Sequence, residues 1–76
     1  MLSAALEHLV KGIVDHPDDV TIASSTSPRG EVLEVRVHPD DRGRVIGRGG
    51  RTAKALRTLI SALADGTRVR VDVADD

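Results

Sequence analysis

The chain reads as one small α+β domain with the element order αββααβ, its three strands forming a sheet that carries three helices on one face. Three observations lead there. Its 76 residues suffice for a single domain, which at this size buries only about 60% of the surface its unfolded chain exposes. Apolar residues recur at helical spacing in two places and alternate with polar ones near the C-terminus. Between these patterns lie three stretches of turn chemistry, two proline-containing and one glycine-rich.

Leu2, Leu6, Leu9, Val10, Ile13 and Val14 predict an amphipathic first helix over about 2–15, stopped by Pro17, with Gly12 a weak point inside it. Residues 20–24 then read as a short strand and 25–30 as a polar connection. Residues 32–37 return as a second strand with Leu33, Val35 and Val37 on one face, close enough to the first to make a hairpin. His38-Pro39-Asp40-Asp41 breaks that strand and offers carboxylates to cap a short helix over about 41–46. The third helix, about 50–64, has Ala53, Leu56, Ile60 and Leu63 as its expected buried stripe and Gly66 as a left-handed cap. Arg68 to Val73 alternate strictly and form the clearest strand, leaving 74–76 as a loose tail of a single domain spanning 1–76.

Composition excludes several functions. With no cysteine there is neither a disulfide framework nor a cysteine-based zinc site. With no Phe, Tyr or Trp, no base or sugar can stack on an aromatic platform. No apolar run approaches the roughly 18 residues of a membrane span, and Met1 to Ala4 lack a charged leader, so a cytoplasmic protein with no membrane partner is expected.

The formal net charge of −1 conceals an asymmetry. Arg42, Arg44, Arg48, Arg51, Lys54 and Arg57 fall within 42–57 without one acidic residue, a window of +6; the five remaining basic and twelve acidic residues leave −7 elsewhere. Local patches, not whole-chain charge, attract phosphates. Solvated helix faces are the common source of charge clusters, but they usually mix signs.

Within that window Val45-Ile46-Gly47-Arg48-Gly49-Gly50-Arg51-Thr52 places three glycines in four residues between two helical patterns. Such a turn opens backbone N–H groups at the start of the second helix, where the macrodipole favours an anion. Arg48, Arg51 and Lys54 add full charge, and the combination predicts phosphate binding. Nucleotide-cofactor loops do not fit. The dinucleotide fingerprint requires glycine or alanine where Thr52 stands and a strand before the loop. A Walker loop requires glycine at Val45 and lysine at Arg51.

Val-Ile-Gly-x-x-Gly joining two helices within this order resembles a KH domain of the type II topology, over roughly 2–73. Residues 43–52 are especially similar to the KhpA-like family of small, stand-alone bacterial KH proteins. The resemblance implies single-stranded RNA binding in a groove, with a GxxG loop at 47–50 that clamps about four nucleotides. By that resemblance Gly47 and Gly50 are the fixed glycines, Arg48 and Gly49 the variable pair, and Val45 and Ile46 the apolar residues at the groove edge and beneath it, with plain core of the short helix the other reading for one of the two. Arg44, Arg51, Thr52 and Lys54 complete the expected RNA-binding set. The second wall is implied to come from a strand left unassigned. The family further implies a homodimer or a heteromer with a second KH-containing RNA-binding protein, and a role in post-transcriptional regulation or as an RNA chaperone. Single-stranded DNA is the nearest alternative ligand.

Two rival functions are weighed against this. Catalysis lacks support: His8, His16 and His38 lie away from the glycine loop in sequence, and Asp18, Asp19, Asp40 and Asp41 read as turn and cap residues. No cofactor is expected, and His38 has no second histidine at ligand spacing, so no metal is either. A protein–protein adaptor with a KH-like fold is the alternative, but the loop retains its glycines among arginines. Arg57 is read as serving packing or a salt bridge, and Arg68 and Arg70 as the exposed face of the sheet.

Overall fold

A computed structural model describes residues 2–74. The helices are α1 (Leu2–Lys11), α2 (Arg42–Ile46) and α3 (Arg51–Ala64), and the strands β1 (Thr21–Ser27), β2 (Gly30–Arg36) and β3 (Val69–Val73). Three short 3-10 turns join them, at Pro17–Asp19, Pro39–Asp41 and Arg48–Gly50. The expected αββααβ order holds.

β2 is central. It pairs antiparallel with β1, from Thr21 opposite Arg36 to Ser27 opposite Gly30, and parallel with β3, where Leu33 lies opposite Val71. Burial alternates along the strands, so that Leu33, Val35 and Val71 enter one core with Leu6 and Val10 of α1, Val45 of α2, and Leu56 and Ile60 of α3. Every helix contributes to that core, which lies between the helices and one face of the sheet.

Three element ends and one position of the buried stripe depart from expectation for identifiable physical reasons. α1 ends at Lys11, because Gly12 sits at its end rather than its interior, its N–H shared between the His8 and Leu9 carbonyls at 3.2 Å each. β1 runs on through Ser27, leaving Pro28 and Arg29 as a two-residue turn. Its serines are exposed, and Ser24 Oγ donates to Glu31 at 2.6 Å, so polar residues cost this edge strand little. The left-handed end of α3 takes two residues, Asp65 at φ 50° and Gly66 at φ 89°. Leu63 is 60% exposed; the buried stripe is Ala53, Leu56 and Ile60, and Ala64 is the half-buried residue of the last turn.

At the C-terminus the Ala74 N–H donates to the Val35 carbonyl at 2.8 Å, tying down the first residue of the expected tail. Asp75 and Asp76 lie outside the described residues. Among the described residues no helix is long and apolar enough to cross a membrane.

Candidate nucleic-acid interface

The glycine loop is built on conformations that side chains rarely adopt. Gly47 has φ 78° and ψ 169°, a combination essentially confined to glycine. A Cβ there would collide with Thr52, reaching 2.7 Å from its backbone nitrogen and closer still to its hydroxyl. Thr52, half-buried, therefore lies directly against Gly47. Gly49 and Gly50 also have positive φ, 66° and 77°, but face open space. The α2 end is closed by Gly47 N–H donating to the Gly43 carbonyl at 2.8 Å, and the turn by Gly50 N–H donating to the Gly47 carbonyl at 3.1 Å.

No side chain caps α3, whose N-cap is Gly50 itself. The first-turn N–H groups of a helix have no intrahelical acceptor, and here the positive end of the macrodipole opens toward the loop. Arg48, Arg51 and Lys54 surround it, all exposed and all without a carboxylate partner among the described residues. Arg44, grouped with them in the sequence, is instead 3.3 Å from Asp15, an exposed pair of modest worth.

Val45 and Ile46, adjacent in sequence, have opposite surroundings. Val45 is fully buried in the core, whereas Ile46 is 40% exposed. Ile46, Gly50, Ala53 and Arg57 form one side of a hollow of about 540 Å3. Its other side is Asp72, Val73 and Ala74, with Glu34 alongside. The strand facing the loop, left open by the sequence, is thus the C-terminal end of β3. Nothing in the sequence marked Ala53 or Val73 as lining, because both also belong to apolar patterns that predict core. Arg57 proves to be a packing residue in part: its Nε donates to the Val71 carbonyl at 3.0 Å, fastening α3 to β3.

A second polar cluster was hidden in the sequence. Asp41 is 1% exposed and caps no helix. Its carboxylate accepts the backbone N–H of Asp15 at 3.2 Å, that of His16 at 3.0 Å and the His16 Nδ1–H at 2.9 Å. The His16 ring stacks on His38, centroids 4.0 Å apart and planes 13° from parallel. So His38 does have a second histidine beside it, and with Asp40 the three offer ligand atoms within 4.8 Å of one another. Parallel rings cannot both aim their in-plane lone pairs at one ion, and His38 Nδ1 already accepts the Asp40 N–H at 3.1 Å. The cluster works as a tertiary clasp between the α1–β1 connection and the turn before α2.

A three-stranded mixed sheet with its helices on one face, and a glycine loop between two of them beside a strand edge, defines a KH domain. The sequence matches the model of the family described as KhpA/KhpB, KH domain, over residues 3–74, and the chain belongs to that family. It is 76% identical over 76 residues to the RNA-binding protein KhpA of Leifsonia xyli subsp. xyli, each chain covered in full. It is 68% identical over 75 residues to that of Streptomyces coelicolor, covering 99% of this chain and 94% of the relative. Identity to the Mycobacterium tuberculosis protein is 63% over 71 residues, 93% of this chain and 88% of the relative. This is a family of binding domains, not of enzymes.

Proposed function

We propose that the chain binds single-stranded RNA in the hollow between α3 and the end of β3, with the 47–50 loop clamping the sugar-phosphate backbone. The observation that carries the reading is the uncapped start of α3, fronted by glycines at positive φ and surrounded by Arg48, Arg51 and Lys54 with no carboxylate partner among the described residues. The relatives' designation as RNA-binding proteins supports it. Gly47, Gly49 and Gly50 let the backbone approach the ligand, the three cations meet phosphates, and Ile46 packs against a base. Bases are held without aromatic stacking, so sequence preference is loose. Thr52 packs against Gly47, Val45 supports the loop from the core, and Arg44 adds field at its margin.

A site of about four nucleotides is short, and a dimer gains affinity by avidity. Leu59 and Leu63, one turn apart on α3 and 50% and 60% exposed, support pairing through that helix. The family description, which joins two KH proteins, equally supports a heteromer with a second KH-containing RNA-binding protein. In either form the chain serves as a post-transcriptional regulator or RNA chaperone acting on cytoplasmic transcripts.

The test is anisotropy of a labelled single-stranded RNA pool titrated with wild type and with Arg48→Asp/Gly49→Asp. Both positions are exposed, and aspartate tolerates the left-handed conformation of Gly49 better than most residues. Salt-sensitive binding lost in the variant, with helicity retained, is expected. Equal binding by the variant would remove the loop from the site. Parallel titration with single-stranded DNA of the same sequence decides between the two nucleic acids.

A further inference from the structure

Ala53, Arg57 and Ser61 are spaced by four residues and so share one face of α3, with the N-cap Gly50 at its start. Gly50, Ala53 and Arg57 line the hollow at the C-terminal end of β3, whereas Ser61 lines a second hollow, also of about 540 Å3, at its N-terminal end. β3 is an edge strand, and its open side accompanies this helix face from one hollow to the other, with the Arg57–Val71 hydrogen bond between them. At about 3.3 Å per residue, Val69 and Val73 are roughly 13 Å apart.

The second hollow is basic. Arg29, Arg68 and Arg70 line it with one acidic residue, Glu31, whose carboxylate accepts the Ser24 hydroxyl. Arg70 shares Asp72 at 3.1 Å, but Arg29 and Arg68 have no carboxylate partner among the described residues. These two come from the tip of the β1–β2 hairpin and the residue preceding β3, and the residues after Arg29 pack directly on Arg68. Gly30, at φ 130°, lies so close to Arg68 that a Cβ would collide with its carbonyl oxygen, and the Glu31 N–H donates to that carbonyl at 2.9 Å. The hairpin tip is thereby fixed against the start of β3, and two guanidinium groups far apart in sequence are brought to one rim.

We infer that Arg29 and Arg68 form a second phosphate-binding hollow that takes the same RNA strand where it leaves the glycine-loop end, extending the bound length beyond four nucleotides. The inference rests on the RNA-binding reading above. Guanidinium groups grip phosphate by paired hydrogen bonds, and the hydroxyl of Ser61 is placed to meet a ribose. An acidic segment of a partner protein would face the same two arginines, but the shared track with the loop-end hollow favours RNA.

The experiment compares a single-stranded RNA of about four nucleotides, the length a GxxG loop clamps, with one about three times as long. Each is titrated with wild type, Arg29→Glu/Arg68→Glu and Arg48→Asp/Gly49→Asp, and circular dichroism confirms the fold. The Arg29→Glu/Arg68→Glu variant is expected to bind the short RNA as wild type does and the long one about tenfold more weakly. Its salt slope on the long RNA should be shallower by about 1.4, at about 0.7 for each phosphate no longer neutralised. Unchanged binding of the long RNA, with the loop variant still defective, would overturn the second hollow and leave the first intact. Equal weakening on both lengths would also overturn it, marking a general field effect. Failure of wild type to bind either RNA would remove the RNA reading itself, and the inference with it. Capture of a hexaglutamate peptide through Arg29 and Arg68 more tightly than of the long RNA would assign the hollow to a protein ligand instead.

Discussion

His16 Nδ1 lies 2.9 Å from a carboxylate oxygen of Asp41, 25 residues further along the chain and almost wholly buried. That hydrogen bond is the main cause raising the His16 pKa above its ordinary 6.5; desolvation opposes it, and the charges of Asp41, Asp19 and Asp40 add to it. Burial pushes Asp41 up, but the hydrogen bonds from the His16 ring and from the Asp15 and His16 amides outweigh it, leaving its pKa below 3.8. The two shifts give opposite limbs of pH dependence. The raised His16 value contributes stability that is complete below 6.5 and lost as pH rises through the folded value. The depressed Asp41 value contributes stability that is complete above 3.8 and lost as pH falls through its folded value.

Between those limits the clasp is at full strength, and Tm should decline from mildly acidic toward alkaline pH. His16→Asn retains an amide donor near the Nδ1 position but does not titrate. It is expected to flatten the alkaline limb while preserving the acid one, as followed by far-UV circular dichroism. An unchanged alkaline slope in the variant would place the pH dependence outside the His16–Asp41 pair.

The loop glycines should separate by cost. Gly47→Ala forces a side chain into a conformation worth about 1–3 kcal/mol of strain and against the Thr52 backbone. Gly49→Ala faces open space and incurs the left-handed penalty alone, about 1–2 kcal/mol. At about 4–8 °C per kcal/mol for a domain of this size, Gly49→Ala should lower Tm by roughly 4–16 °C and Gly47→Ala by clearly more. Thermal melts of the two variants measure this, and equal losses would mean that Thr52 moves aside without cost.

What the sequence disclosed was what short-range pattern encodes. The alternation of 68–73, the Ala53, Leu56 and Ile60 stripe, and the glycine loop between two helices are all readable within one or two turns of chain, and the structure has each of them. The failures share a cause. Asp41 follows a proline at the start of a helix, where aspartates ordinarily cap, but its carboxylate serves amides from a connection far earlier in the chain. The pairing of His16 with His38, the sharing of one hollow between α3 and β3, and the presence of Arg29 and Arg68 on the lining of another likewise depend on which elements become neighbours. Local propensity carries no such information. Leu63 failed differently: its spacing fits the stripe, but it is 60% exposed in the last turn of α3.

Ile60 and Leu63 are near neighbours on one helix with opposite surroundings. Ile60 is 0% exposed, and Ile60→Ala should cost about 2–5 kcal/mol through the apolar burial forfeited and the cavity left behind. Leu63, already in solvent, has little burial to lose within one chain, and Leu63→Ala should leave the stability of the isolated domain nearly unchanged. If the α3 face pairs with a second copy, Leu59 and Leu63 become its apolar centre, and two charges there would be driven into an interface that cannot solvate them. Leu59→Asp/Leu63→Asp should then reduce the mass by light scattering from twice 8.1 kDa to 8.1 kDa, with helicity retained and binding to long RNA weakened by loss of avidity. A double variant that keeps the wild-type mass would place any dimer contact on another face. A wild type that is monomeric throughout would shift the role of these leucines to the heteromeric partner.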